Sequence, residues 1–172
     1  MRRIIVITGN GKGKTTSAIG SAVRAVGRNF KVLFYQFIKS KDVNYGEHLF
    51  FSKSKKLEMV RFGLGCRQDF NYGPKDKKAA VDGFKKIEQD LSKNKGIPTL
   101  CVLDEISYPI NWKWIKVDVV LKLMSKYNKV NFVLTGRDMP KKLISIADTV
   151  SEVKEIKHAY QKGVNAQKGI EF

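Results

Sequence analysis

A chain of 172 residues, 42% apolar and 10% aromatic, is long enough to bury a core as one domain over 1–172, and no apolar run approaches the roughly 18 residues of a membrane span. Two cysteines, Cys66 and Cys101, are too few for a disulfide framework or a zinc site. Arg2 and Arg3 lead into an apolar stretch too short for a secretion signal, so a cytoplasmic protein with no membrane partner is expected. The net charge of +17 comes from 33 basic against 16 acidic residues, yet only seven of the 33 are arginine. Lysines scattered without an arginine cluster read as a solvated surface rather than a nucleic-acid groove; an acidic protein partner is the other option.

The first expected element is a buried strand over Arg3–Thr8, which runs directly into TGNGKGKTT, from Thr8 to Thr16. A strand, a glycine-rich turn ending in Gly-Lys-Thr, and then a helix is the layout of a phosphate-binding P-loop. Gly9, Gly11 and Gly13 let successive N–H groups converge on an anion, and the helix beginning near Lys14 adds its positive dipole end. Lys14 supplies a mobile charge and the Thr15 hydroxyl is placed to ligate Mg²⁺. Thr8 stands where the usual pattern has glycine.

The spacing then predicts a helix over Thr15–Val26 stopped by Gly27, a strand over Lys31–Phe37 and a loop to about Tyr45. A short helix over Gly46–Ser54 and a strand over Leu57–Phe62 follow. Lys75–Asn94 is a long amphipathic helix burying Ala79, Ala80, Phe84, Ile87 and Leu91. After it come a strand over Thr99–Leu103, a helix over Val117–Tyr127, a strand over Val130–Thr135 and a helix over Pro140–Ala147. Thr149–Ile156 reads as a last strand whose alternating charges suit a sheet edge. This alternation predicts an α/β fold, with a mostly parallel central sheet of about six strands and helices on both faces.

Chemistry is expected where strands end on the P-loop edge of that sheet. Asp104 and Glu105 follow an apolar strand; they suit Mg²⁺ coordination beside Thr15, or a cap on the next segment. A glutamate there would also suit an ATPase, where it positions water. Arg137, after Thr135 and Gly136, is either a cation for a triphosphate or an acidic substrate, or part of a strand-ending turn. The glycine-bearing loop from Gly63 to Pro74 has the character of a lid, with Phe70 and Tyr72 touching a flat ligand or pinning the loop. Cys101 belongs to the core, whereas His48 and His158, isolated from each other and from cysteine, read as structural or surface residues.

Taken in order, the motifs resemble the corrinoid (cob(I)alamin) adenosyltransferase family. The matching pieces are TGNGKGKTT at Thr8, YQFIKS at Tyr35, YGE at Tyr45, VLDEISY at Val102, VLTGRDMP at Val133, ADTVSEVKEIKHAY at Ala147 and AQKGIEF at Ala166. The resemblance implies a RecA-like P-loop fold, usually a homodimer, that transfers the 5′-deoxyadenosyl group of ATP to a reduced corrinoid and releases triphosphate. It carries ATP binding onto Gly9, Asn10, Gly11, Lys12, Gly13, Lys14, Thr15 and Thr16. Mg²⁺ falls to Thr15 and Glu105 with Asp104 in support, and catalysis to Lys14, Glu105 and Arg137. Some relatives have aromatic residues where this chain has Cys66, Arg67 and Gln68; here Arg67 and Gln68 are expected to contact corrin amides or shape the lower face. An external electron donor is also implied, often a reduced flavoprotein, and an acidic one would be steered by the +17 surface. Two other readings stay open at this point: a RecA-type ATPase stimulated by nucleic acid, and a nucleotide-gated corrinoid carrier that forms no cobalt–carbon bond.

Overall fold

The architecture is taken from a computed structural model that describes residues 2–65, 72–94 and 96–172. In chain order the elements are β1 (Ile4–Thr8), α1 (Lys14–Gly27), β2 (Lys31–Ser40), α2 (Gly46–Phe51), β3 (Leu57–Gly63) and α3 (Pro74–Lys93). They continue with β4 (Thr99–Asp104), α4 (Ser107–Asn111), α5 (Val117–Lys126), β5 (Asn131–Thr135), α6 (Lys141–Ser145) and β6 (Thr149–Glu152), before a 3₁₀ turn at Ala159–Lys162. The strands form one sheet in the order β3-β2-β4-β5-β1-β6, and every pair is parallel.

Alternation along the inner strands explains why helices cover both faces. Ile4, Val6, Leu33, Tyr35, Cys101, Leu103, Phe132 and Leu134 point to one side, against Ala80, Phe84, Ile87 and Leu91 of α3 and Val120, Leu123 and Met124 of α5. Val32, Phe34, Leu100, Val102 and Val133 point to the other, against Ala18 and Ala22 of α1. Such doubly buried strands read as continuous apolar runs, and all six residues of β4 are buried. The small side chains of Ala18 and Ala22 let α1 lie close to the sheet, which sets its N-terminus, with Lys14 and Thr15, over the strand ends. Because every strand is parallel, the C-terminal ends of β1, β4 and β5 open on one edge.

The α/β class, the six strands and the edge position of the last strand agree with the sequence reading; several boundaries do not. Gly27 is still helical and Arg28 forms the C-cap; Asn29, at φ 66°, takes the left-handed turn expected of the glycine. β2 runs on to Ser40 through a register shift against β3, and α2 ends at Phe51 rather than Ser54. β6 stops at Glu152, not Ile156, because Val153 turns its backbone to the P-loop: its N–H donates to the Thr8 carbonyl at 2.8 Å and its carbonyl accepts from Gly11 N–H at 2.8 Å. Ser107–Asn111 is a helix that the sequence reading did not place.

That crossing decides which residue must be glycine. A Cβ on Gly11 would lie 2.6 Å from the Lys154 carbonyl oxygen, whereas a Cβ on Gly20, in α1, meets nothing within 4 Å. Gly11→Ala should therefore destabilise the protein by about 1–3 kcal/mol. Gly20→Ala should stabilise it by about 0.5–1 kcal/mol, because alanine loses less backbone freedom on entering a helix. Urea unfolding of both variants beside the parent reads the two signs.

Candidate nucleotide-binding active site

The P-loop is shaped by its neighbours. Thr8 is the last residue of β1 and pairs with Glu152, so the sharp turn that glycine usually makes there is displaced to Gly9, at φ 96°. Gly9 is pressed against Val153, with its absent Cβ only 2.5 Å from that carbonyl oxygen. Gly9 therefore holds the turn, while Asn10 to Thr16 line the cavity beyond it. Among the described residues no side chain caps α1 and no acid stands in its first turn, which leaves the helix-start N–H groups to an anion. Lys14 Nζ donates to the Gly11 carbonyl at 2.7 Å. Burial holds the Lys14 pKa below its ordinary value, the Arg137 charge adds to that, and Glu105 and Asp104 pull the other way.

Asp104 closes the floor. Its carboxylate is fully buried and accepts from Thr15 Oγ1 at 3.0 and 3.2 Å, from Thr135 Oγ1 at 2.6 Å and from Gln36 Nε2 at 3.2 Å. Burial raises its pKa and these hydrogen bonds offset part of the rise. Thr135 Oγ1 also accepts from the Glu105 backbone N–H at 2.9 Å, holding Glu105 at φ 61°, a left-handed conformation that costs a non-glycine residue about 1 kcal/mol or more. The turn sends the Glu105 side chain to the cavity wall. Burial, then the Asp104 charge, push its pKa up to about 7, against the opposing charges of Lys39, Lys14 and Arg137.

The cavity measures about 530 Å³ and brings Asn10 to Thr16, Glu105 and Arg137 together. Asp104 stands behind Thr15 and reaches the cavity only through it. Cys66, Arg67, Gln68 and Phe70 lie outside the described residues. Tyr72, from the same loop, reaches the cavity and packs at a tilt against Trp112, with centroids 4.5 Å apart.

Other cavity residues had no role in the sequence reading. Lys39, in the YQFIKS motif, forms a half-buried ion pair with Glu47 of YGE, which also lies 3.5 Å from Gln36 Nε2. Burial alone would raise the Glu47 pKa, but the Lys39 hydrogen bond and charge hold it below the ordinary value. The tail from Gly169 to Phe172 closes another side, where Lys12 pairs with Glu171 at 3.2 Å. His158 is also in the wall, its Nδ1 accepting from Tyr160 N–H at 3.2 Å. The family motifs held the signal for Lys39, Glu47 and the tail, but spacing along the chain gave them no chemistry.

The raised Glu105 pKa has a definite consequence for stability. Between its ordinary 4.5 and about 7 the folded form holds the proton more tightly than the unfolded form, so stability falls as pH rises through that window. Glu105→Gln removes the penalty. Without nucleotide or metal, the variant should be more stable than the parent by about 3 kcal/mol at pH 8, with the difference gone near pH 4. Urea unfolding at the two pH values measures it.

Comparison with known proteins identifies the family. The family model described as ATP:corrinoid adenosyltransferase BtuR/CobO/CobP matches residues 1–172. The chain is 33% identical over 172 residues to the corrinoid adenosyltransferase of Escherichia coli strain K12, covering 98% of this chain and 85% of that protein. It is 34% identical over 173 residues to the corrinoid adenosyltransferase of Pseudomonas aeruginosa, covering 98% and 83%. Among solved structures, a KaiC-like protein from Pyrococcus horikoshii is similar at a TM-score of 0.55 and 20% identity, covering 91% of this chain and 74% of that one, a likeness of fold alone. By motif, site geometry and whole-chain match, this chain belongs to the ATP:corrinoid adenosyltransferase family.

Proposed function

We propose that the chain transfers the 5′-deoxyadenosyl group of ATP to the Co(I) centre of a reduced corrinoid, releasing inorganic triphosphate. The observation that carries the reading is the meeting, in one cavity, of an uncapped α1 N-terminus, Lys14 and Arg137, a cation set suited to a polyanion. The lone pair of the Co(I) substrate attacks the ribose C5′. The C5′–O5′ bond breaks, its electron pair leaves with triphosphate, and cobalt is oxidised by two electrons as the cobalt–carbon bond forms. The corrinoid is the nucleophile, so the protein's part is to orient the two substrates and to stabilise the charge that grows on the leaving oxygen.

Within that scheme the P-loop amides, Lys12 and Lys14 bind the triphosphate, and Arg137 approaches it from the end of β5. The residues also fit Mg²⁺. Thr15 spends its one hydroxyl proton on Asp104, which leaves its lone pairs for a cation, and the available donors are hard oxygens. Gln36 Oε1 is buried without a hydrogen-bond partner among the described residues, an acceptor suited to an ion's hydration shell. Thr15 and Glu105 would hold the ion with Asp104 in support, and its chemistry there is to neutralise triphosphate charge. Reduction of the corrinoid falls to an external donor, and the +17 charge suits docking of an acidic flavoprotein.

The test is anaerobic incubation with Mg-ATP and chemically reduced cob(I)alamin or cobinamide. A light-sensitive adenosylated product should form with one triphosphate per corrinoid, and Lys14→Ala should lower kcat/KM by about 100-fold or more. Orthophosphate release stimulated by nucleic acid, with no alkylated corrinoid, would overturn the reading in favour of an ATPase. Tight binding of both ligands without product would favour a carrier.

A further inference from the structure

The two lysines of the P-loop are held in different ways. Lys14 Nζ stays within the loop, on the Gly11 carbonyl at 2.7 Å. Lys12 Nζ reaches instead to the C-terminal tail, 3.2 Å from Glu171 Oε1 and 3.4 Å from the Ile170 carbonyl oxygen. A carboxylate therefore stands on one of the cations that the nucleotide reading gives to the triphosphate. Lys12 and Glu171 both line the P-loop cavity, so a bound polyphosphate and this carboxylate would share one space. Glu171 also stands in the wall of a second cavity, of about 410 Å³, which has Lys39, Glu105 and Phe172 in common with the first.

The carboxylate is carried by a turn that holds itself together. Glu171 Oε2 accepts from the Gln167 N–H at 2.8 Å, and the N–H groups of Glu171 and Ile170 donate to the Gln167 carbonyl at 2.9 and 3.1 Å. Gly169, at φ 84°, reverses the chain, and its N–H donates to the Phe172 carbonyl at 2.7 Å. None of these bonds involves Lys12, so the turn can leave the P-loop without being undone. Residues 161–170 are all exposed, and little apolar burial opposes such a movement. The pair itself is open to water, with side chains 48% and 28% exposed, and ion pairs of that kind are weak. A polyphosphate, with several charges against one, displaces it.

Resting on the nucleotide reading above, we propose that Glu171 is an internal competitor for the triphosphate group. It holds Lys12 in the free protein, yields it to an incoming polyphosphate, and takes it back as inorganic triphosphate leaves. The gain lies in product release. Every cation that tightens ATP also tightens the triphosphate left behind after transfer, and a tightly held product limits turnover. A tethered anion that returns to Lys12 lowers the affinity for that product and speeds its departure.

Calorimetric titration with inorganic triphosphate, with Mg²⁺ present and at fixed ionic strength, tests this in four chains: the parent, Glu171→Gln, Lys12→Met and the double variant. Glutamine removes the charge and keeps an acceptor for the Gln167 N–H. The Kd should be about threefold lower in Glu171→Gln than in the parent, and the dissociation rate of triphosphate should fall by a similar factor. In the Lys12→Met background the same substitution should leave the Kd unchanged, because nothing remains to compete for. An unchanged or higher Kd in Glu171→Gln would overturn the proposal, the carboxylate then being a wall of the site or an aid to binding. Equal tightening in both backgrounds would also overturn it, since Glu171 would then repel triphosphate directly. A parent chain that binds no triphosphate would overturn this proposal and the nucleotide reading together. The expected pattern in a chain that makes no adenosylated corrinoid would support the competitor and remove only the transferase reading.

Discussion

A carboxylate with no solvent access organises this molecule. Burying an ionised acid costs several kcal/mol unless hydrogen bonds replace its water, and Asp104 obtains them from three separate elements: Gln36 on β2, Thr135 on β5 and Thr15 at the start of α1. Satisfying that one group fixes the relative positions of β2, the end of β5 and the first turn of the P-loop helix. It also places a second acid. Thr135 holds the Glu105 backbone, and the Asp104 charge helps raise the Glu105 pKa. The charges of Lys39, Lys14 and Arg137 offset only part of that rise.

The other organising contact is the crossing of the chain after β6 over the P-loop. Val153 exchanges backbone hydrogen bonds with Thr8 and Gly11, so the glycine-rich loop is a continuation of the sheet edge. Glycine at positions 9 and 11 follows from that proximity as much as from the phosphate. The same C-terminal stretch goes on to place Glu171 on Lys12 and Phe172 at the junction of the two cavities. P-loop and tail therefore line one cavity, which gives the C-terminal motif a place beside the glycine-rich loop.

What could be read from the chain follows the range of the forces involved. β1, the P-loop and α1 depend on residues adjacent in sequence, and the apolar runs of β4 and β5 are long enough to declare themselves. The Asp104–Glu105 pair was legible because it ends such a run. The Ser107–Asn111 helix was not, since five residues containing Pro109 show no period. β6 was read four residues too long because Val153–Ile156 keep a strand-like pattern, and only the folded P-loop shows that Val153 leaves the sheet. Lys39 and Glu47 stand in family motifs, but nothing in their spacing pairs them. Their pairing spans the turn from β2 into α2 and depends on Arg61, which binds three carbonyls of that turn from β3. Such contacts carry no signature along the sequence.

The account stands most directly on Asp104, and the measurement that tests it is nucleotide affinity of Asp104→Asn with and without Mg²⁺. Asparagine keeps the size and can still accept from Thr15 or Thr135, but it loses the negative charge and turns a donor toward Gln36. The account predicts a folded variant in which Mg²⁺ no longer tightens ATP binding, so that the two Kd values converge. A variant that binds Mg-ATP as tightly as the parent, with the same dependence on Mg²⁺, would contradict the claim that this buried carboxylate builds the site.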